Sequence, residues 1–177
     1  MSYDRHLERW TVHHRTGWLN PVFEGLSWIG GQGLVWLVIA AALAIWWRRP
    51  WLFFQVVVAD FAAQLISYGL KEGIGRERPP EVYAAPKPLV HVPHDGSFPS
   101  GHATTSFACA TMLAFSAPRA APAFFVLAAA IAWSRVYVGV HYPLDVLGGA
   151  VLGVLISIAL RWLLGALRRS RRETPAG

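Results

Sequence analysis

The sequence predicts an all-α fold: a polytopic membrane helix bundle of about five transmembrane spans plus an N-terminal interfacial helix. Three observations predict it. Long apolar runs recur along the chain and end at basic residues or prolines. Charged residues make up only 15% of the chain, against about 25% in an average soluble protein. The chain also carries nine tryptophans, whose rings favour the membrane–water interface. With 54% apolar residues and a mean hydropathy of +0.37, the composition excludes an ordinary soluble enzyme and a disordered chain. The single cysteine, Cys109, leaves no intramolecular disulfide and no Cys-rich metal site. The net charge is +6. Its basic residues fall between apolar runs and near the C-terminus, so membrane lipids with anionic headgroups, and not nucleic acid, are the expected partner.

The 177 residues read as one membrane-embedded domain, 1–177, with an interfacial segment at 1–19 and a basic tail at 166–177. Residues 3–18 form the expected interfacial helix, on the stripe Leu7, Trp10, Thr11, His14 and Trp18. The charges Asp4, Arg5, Glu8, Arg9 and Arg15 leave no apolar core for a cleavable signal peptide. Asn20 caps the next helix and Pro21 opens it. The first span is uncharged from Gly25 to Trp47, with Gly30, Gly31 and Gly33 as sites for a kink or a close neighbour. Arg48, Arg49 and Pro50 end it. The second span covers 51–70, interrupted by Asp60, which is expected to bond a neighbouring span. A polar, proline-rich loop follows at 71–99. The third span covers 100–117, the fourth 121–137, and the fifth 143–165 with Gly149 and Gly153 as a close-packing face. Positive-inside reasoning puts the tail in the cytoplasm and the 71–99 and 135–142 loops outside.

Three polar clusters fall at one membrane face: Lys71 with Arg78-Pro79; Pro99-Ser100-Gly101-His102; and Ser134-Arg135 with His141 and Asp145. Ionisable groups near lipid are costly and mark function. Lys71, Arg78 and Arg135 form a cationic cradle for a phosphate, which carries about −1.5 to −2 charges at neutral pH. Ser100 and Gly101 open the third span, and a helix N-terminus offers free N–H groups to an anion. Asp145 lies one turn beyond His141, where it can fix the ring tautomer and free the other nitrogen as a nucleophile. His102 has no such carboxylate and suits acid/base work. This is a layout for phosphoryl transfer to histidine, with a bell-shaped pH profile expected. Arg76 is read as serving a second phosphate or simply the surface. The triplet His91, His94 and Asp95 matches no defined ligand spacing and reads as polar loop.

The series Lys71-x6-Arg78-Pro79, Pro99-Ser100-Gly101-His102 and Ser134-Arg135-x5-His141-x3-Asp145 resembles the three signature motifs of the type-2 phosphatidic acid phosphatase superfamily, in the family's order. The resemblance spans 71–145 and points to the small bacterial integral-membrane members. It implies a metal-independent lipid phosphatase that needs no cofactor. His141 would be the nucleophile, His102 the acid/base and Asp145 the orienter of His141. Lys71, Arg78, Ser100, Gly101, His102 and Arg135 would form the phosphate pocket. The expected substrate is a lipid phosphate or diphosphate in a bacterial inner membrane, with undecaprenyl diphosphate the leading choice. Phosphatidic acid, phosphatidylglycerophosphate and a prenyl-sugar phosphate are alternatives. A vanadate-dependent haloperoxidase, a metal-dependent hydrolase and a non-catalytic lipid-binding protein are more distant ones. Oligomeric state is left open by the sequence.

Overall fold

The computed structural model describes residues 3–173. Every regular element among them is helical. Arg168, Arg169, Arg171 and Arg172 of the expected basic tail sit on the last turns of the final helix, but their side chains and residues 174–177 lie outside the described residues.

Helix α1 (Tyr3–His13) begins with Asp4 in its first turn and ends on His13, both favourable to the helix dipole. It buries Asp4, Glu8, Thr11 and Val12 and leaves Trp10 exposed. Of the stripe expected for an interfacial helix, Trp10 and Trp18 face outward and Thr11 is buried, and the inward face combines Thr11 and Val12 with the acids Asp4 and Glu8. The helix is also shorter than expected, since 14–16 are irregular and a 3-10 turn occupies Gly17–Leu19.

The first expected span is broken. Helix α2 (Asn20–Ile29) and helix α3 (Leu34–Trp46) meet at 65° across a 3-10 turn, Gly31–Gly33. Gly33 has φ +71°, and a Cβ there would lie 2.1 Å from Asp60 Oδ1. Only glycine meets both demands. Asn20 is the first helical residue, not the cap, and its side-chain oxygen accepts the Tyr137 hydroxyl at 3.0 Å. Helix α4 (Pro50–Ile74) overruns the expected second span by one turn. Among the described residues the hydrogen bond of Asp60 is on its own helix, its Oδ2 accepting from Gln64 at 2.8 Å, and its carboxylate packs beside Gly33 of the first span. A four-residue helix, α5 (Pro79–Val82), interrupts the polar loop.

Helix α6 (Gly101–Ser116) is the central post, packed by α4, by α7 (Ala121–Tyr137) and by α8 (Pro143–Glu173). The α6–α8 seam is the closest. A Cβ on Gly149 would stand 2.6 Å from the Ser100 carbonyl oxygen, and one on Gly153 would stand 2.2 Å from that of Thr104. The small-residue face read from the sequence is thus a backbone contact. Trp36, Val56, Met112, Leu113 and Ile131 fill the core around α6, with Cys109 fully buried among them. Phe61, Leu65, Val126, Val151, Leu155 and Ile158 point outward, as lipid-facing side chains do.

Among the described residues three helical stretches are long and apolar enough to cross a membrane: Pro50–Val82, Pro118–Tyr137 and Pro143–Leu167. The bent pair α2–α3 makes a fourth if it counts as one span. Helix α6, with 16 residues, reaches about 24 Å at 1.5 Å per residue, shorter than the roughly 30 Å hydrocarbon core, and it runs between the two ends of the bundle at its centre.

Candidate active site

The polar residues of the three clusters meet at one end of the bundle. Lys71 comes from the last turns of α4, Arg78 from the residue before α5, and Ser100, Gly101 and His102 from the start of α6. Arg135 lies in the last turn of α7, His141 in the α7–α8 connection, and Asp145 in the first turn of α8. Each sits where a helix ends, because helix ends carry the unpaired backbone groups that polar side chains and anions satisfy.

His141 is 2% exposed. Its Nε2 lies 3.1 Å from Arg78 Nη1, and its Nδ1 lies 3.5 Å from Asp145 Oδ2. A guanidinium only donates, so Nε2 accepts and the ring proton sits on Nδ1, towards the carboxylate. Burial pushes the pKa of His141 down to about 3; Asp145 opposes this, and Arg78 and Arg135 add to it. The imidazole is therefore neutral at physiological pH with its lone pair on Nε2.

Asp145 is held on every side. Its Oδ2 accepts from the Tyr142 amide at 2.8 Å and from the Ser97 hydroxyl, and its Oδ1 accepts from Arg76. Arg76 also pairs with Asp4 of α1, which in turn accepts from the Leu144 amide at 2.8 Å. Arg76 thus braces the carboxylate behind His141, a role different from both sequence readings of it. The same clamp accounts for Asp4 on the buried face of α1.

His102 Nε2 lies 3.1 Å from the Ser27 carbonyl oxygen. A carbonyl only accepts, so this nitrogen carries hydrogen and Nδ1 is the one left for other work. The Ser27 hydroxyl accepts from Arg135 Nη1. One residue of α2 therefore ties together two of the three clusters, though it belongs to none. Ser134 is turned away, donating to the Ile131 carbonyl of its own helix at 2.6 Å.

Asp95 is the second residue whose place the motifs did not reveal. Its carboxylate bridges the cations, with Oδ2 2.6 Å from Lys71 Nζ and Oδ1 2.7 Å from Arg78 Nη2. Burial works to raise its pKa, but the hydrogen bonds from Lys71 and Arg78 prevail and hold it below the usual carboxylate value. It takes no part in a histidine cluster. His91 and His94 face each other with ring centroids 6.1 Å apart, and among the described residues no three His, Cys, Asp or Glu side chains are placed to hold a metal.

A cavity of about 530 Å³ opens beside these groups, lined at its polar end by Ser67, Lys71, Asp95, Gly101 and His102. It runs along α4 past Gln64 to Leu65 and Phe61, roughly 15 Å from Lys71 by the helical rise. Among the described residues, the Oγ atoms of Ser67 and Ser100 and the Nε of Arg135 are buried without a partner. Unpaired buried polar atoms are costly, and the Ser67 hydroxyl, which lines the cavity, suits a polar ligand there. The arrangement joins a neutral, oriented imidazole, a cluster of cations and a groove whose far end is apolar.

The sequence model of the PAP2 superfamily matches residues 52–169. The chain is 30% identical to phosphatidylglycerophosphatase B of Bacillus subtilis, over 97% of this chain and 88% of the relative. It is 34% identical to decaprenylphosphoryl-5-phosphoribose phosphatase of Mycobacterium tuberculosis, over 85% of this chain and 83% of the relative. Its fold is similar to the crystal structure of a transmembrane PAP2-type phosphatidylglycerolphosphate phosphatase from Bacillus subtilis. That match has a TM-score of 0.73 and 28% identity, covering 98% of this chain and 87% of that one.

Proposed function

The chain belongs to the PAP2 superfamily, and from that premise we propose that it hydrolyses the terminal phosphate of a membrane lipid phosphate or diphosphate through a phosphohistidine intermediate. It is an integral membrane protein and a phosphatase by family. The observation that carries the mechanism is the His141 ring, neutral, with its proton on the Asp145 side and its Nε2 beside Arg78.

His141 Nε2 attacks phosphorus, forming the N–P bond as the P–O bond to the lipid breaks. His102, protonated, gives a proton from Nδ1 to the leaving oxygen, so that the lipid departs as an alcohol or a monophosphate. The same nitrogen then takes a proton from water, and the hydroxide releases inorganic phosphate from His141. Asp145 keeps the His141 ring in place and balances the imidazolium charge. Lys71, Arg78, Arg135, the Ser100 hydroxyl and the N–H groups around Gly101 hold the non-bridging oxygens as charge builds. No step needs a metal or cofactor.

The cavity supports a lipid substrate, whose headgroup would lie at Lys71 and His102 and whose chain would run along α4 towards Phe61 and Leu65. Relatives named for a glycerolipid phosphate and for a prenyl-linked sugar phosphate show that the family spans both lipid classes. Undecaprenyl diphosphate is our choice, with the site facing outward and the C-terminus in the cytoplasm of a bacterial inner membrane. Support comes from the basic residues near the C-terminus.

The test is phosphate release by the purified protein in detergent with EDTA, offered undecaprenyl diphosphate, phosphatidic acid and phosphatidylglycerophosphate in parallel. Release that is lost in His141→Ala is expected. Full activity in that variant would remove His141 from the mechanism, and loss of wild-type activity in EDTA would point to a metal.

A further inference from the structure

We propose that the Asp95 carboxylate is a resident counter-anion: it holds the phosphate subsite while the site is empty, gives way to the substrate's phosphate, and returns to expel inorganic phosphate after turnover. The proposal rests on the phosphatase reading above and extends it to a residue outside the motifs.

The hydrogen bonds of Arg78 make the case. Its Nε donates to the Asp95 carbonyl at 2.9 Å, and its Nη1 donates to the Val140 carbonyl at 2.9 Å and to His141 Nε2 at 3.1 Å. Its Nη2 donates to Asp95 Oδ1 at 2.7 Å and, at a long 3.4 Å, to the Gly96 carbonyl. Every N–H of the guanidinium is engaged, so a phosphate gains an Arg78 bond only where another acceptor leaves. The backbone carbonyls are fixed by the chain. Asp95 Oδ1 is the side-chain acceptor with the charge and geometry of a phosphate oxygen, and the same carboxylate also takes Lys71 Nζ at 2.6 Å.

Position agrees with this. Lys71 and Arg78 are 7% and 0% exposed, so without a counter-charge they would be buried and uncompensated. The Asp95 side chain is 27% exposed and lines the cavity. It thus stands between the groove and the Arg78–His141 pair. It can leave without loop movement, because the backbone on either side is pinned: the Asp95 carbonyl by Arg78 Nε, and the Ser97 amide by the Arg76 carbonyl at 2.7 Å. Rotation of one side chain towards the cavity would uncover Lys71, Arg78 and the approach to Nε2 together.

The experiment compares wild type with Asp95→Asn and Asp95→Ala as full chains in detergent, by calorimetric titration with orthovanadate and by inhibition of lipid turnover with inorganic phosphate. Asn keeps the shape and removes the charge; Ala removes the competitor. Vanadate affinity roughly tenfold tighter in both is expected, from the loss of a charged hydrogen-bonded competitor, with a parallel fall in the inhibition constant of inorganic phosphate. Inorganic phosphate should then leave more slowly, and a burst of the dephosphorylated lipid product should precede the steady state. Unchanged or weaker vanadate binding by variants with normal melting would overturn the proposal and make Asp95 a fixed brace for the cations. If a variant unfolds without ligand, melting with and without saturating vanadate decides: a larger ligand-induced rise than in wild type supports the competitor, an equal or smaller one overturns it. A wild type that neither binds vanadate nor releases phosphate from any lipid would overturn the phosphatase reading as well.

Discussion

His141 sets up a stability experiment whose sign and size follow from its surroundings. The ring is almost fully buried, and burial lowers its pKa from the ordinary 6.5 to about 3. Between those values the unfolded chain binds a proton at this position and the folded chain does not. Its contribution to stability is therefore complete above pH 6.5 and is lost progressively as pH falls towards 3. At pH 5 the loss is about 2 kcal/mol, from 1.36 kcal/mol per pH unit over about 1.5 units. For a chain of this length that corresponds to roughly 4–8 °C in melting temperature. His141→Asn has no such proton to bind, so the measurement is thermal melting of wild type and variant in detergent at pH 7.5 and pH 5. Wild type should lose more stability on acidification than the variant, by about that amount. Equal losses would show that His141 titrates near its ordinary value, and the claim of a ring held neutral by burial would fall. The same shift moves the acid limb of the rate profile: His141 stays unprotonated well below neutrality, so any fall in rate between pH 7 and pH 5 belongs to another group.

Ser27→Ala should weaken vanadate binding and lower kcat several-fold by freeing Arg135, and Ser27→Thr should restore both; no effect on either would leave Ser27 as mere packing. Arg76→Met should cut kcat about tenfold with little change in KM, since Asp145 loses a charged partner while the pocket cations stay; a KM effect alone would return Arg76 to substrate binding. Gly153→Val should destabilise the protein by roughly 1–3 kcal/mol, read as a fall in melting temperature, because its Cβ would stand 2.2 Å from the Thr104 carbonyl oxygen. An unchanged melt would mean that α6 and α8 can part at no cost.

The helix ends were legible because the sequence marks them chemically. Pro143 opens α8, and the fourth span, 121–137, coincides with α7. The motif residues converge as their order along alternating spans implies. What escaped was whatever depends on a partner distant in sequence. Ser27 and Arg135 are more than one hundred residues apart, and only packing of α2 on α7 brings them together. A signal existed: Ser27 is a polar residue within the uncharged run from Gly25 to Trp47. Asp95 reads in sequence as part of a polar loop, because nothing near it in the chain reveals that its carboxylate meets cations from two other segments. Arg76 lies inside a motif, yet it serves the carboxylate and not the phosphate. The break between α2 and α3 was visible as a glycine cluster, but neither its 65° angle nor the packing of Asp60 beside Gly33 is written in the local sequence.

Cys109 sits in the middle of α6 with no exposed surface, and the chain has no other cysteine. A maleimide added to the purified protein can reach this sulfur only after the central post has separated from its neighbours. The rate of thiol modification thus becomes a clock for opening of the bundle core, running without any engineered label. Comparing that clock with and without vanadate would time how far occupancy of the polar end tightens the apolar middle.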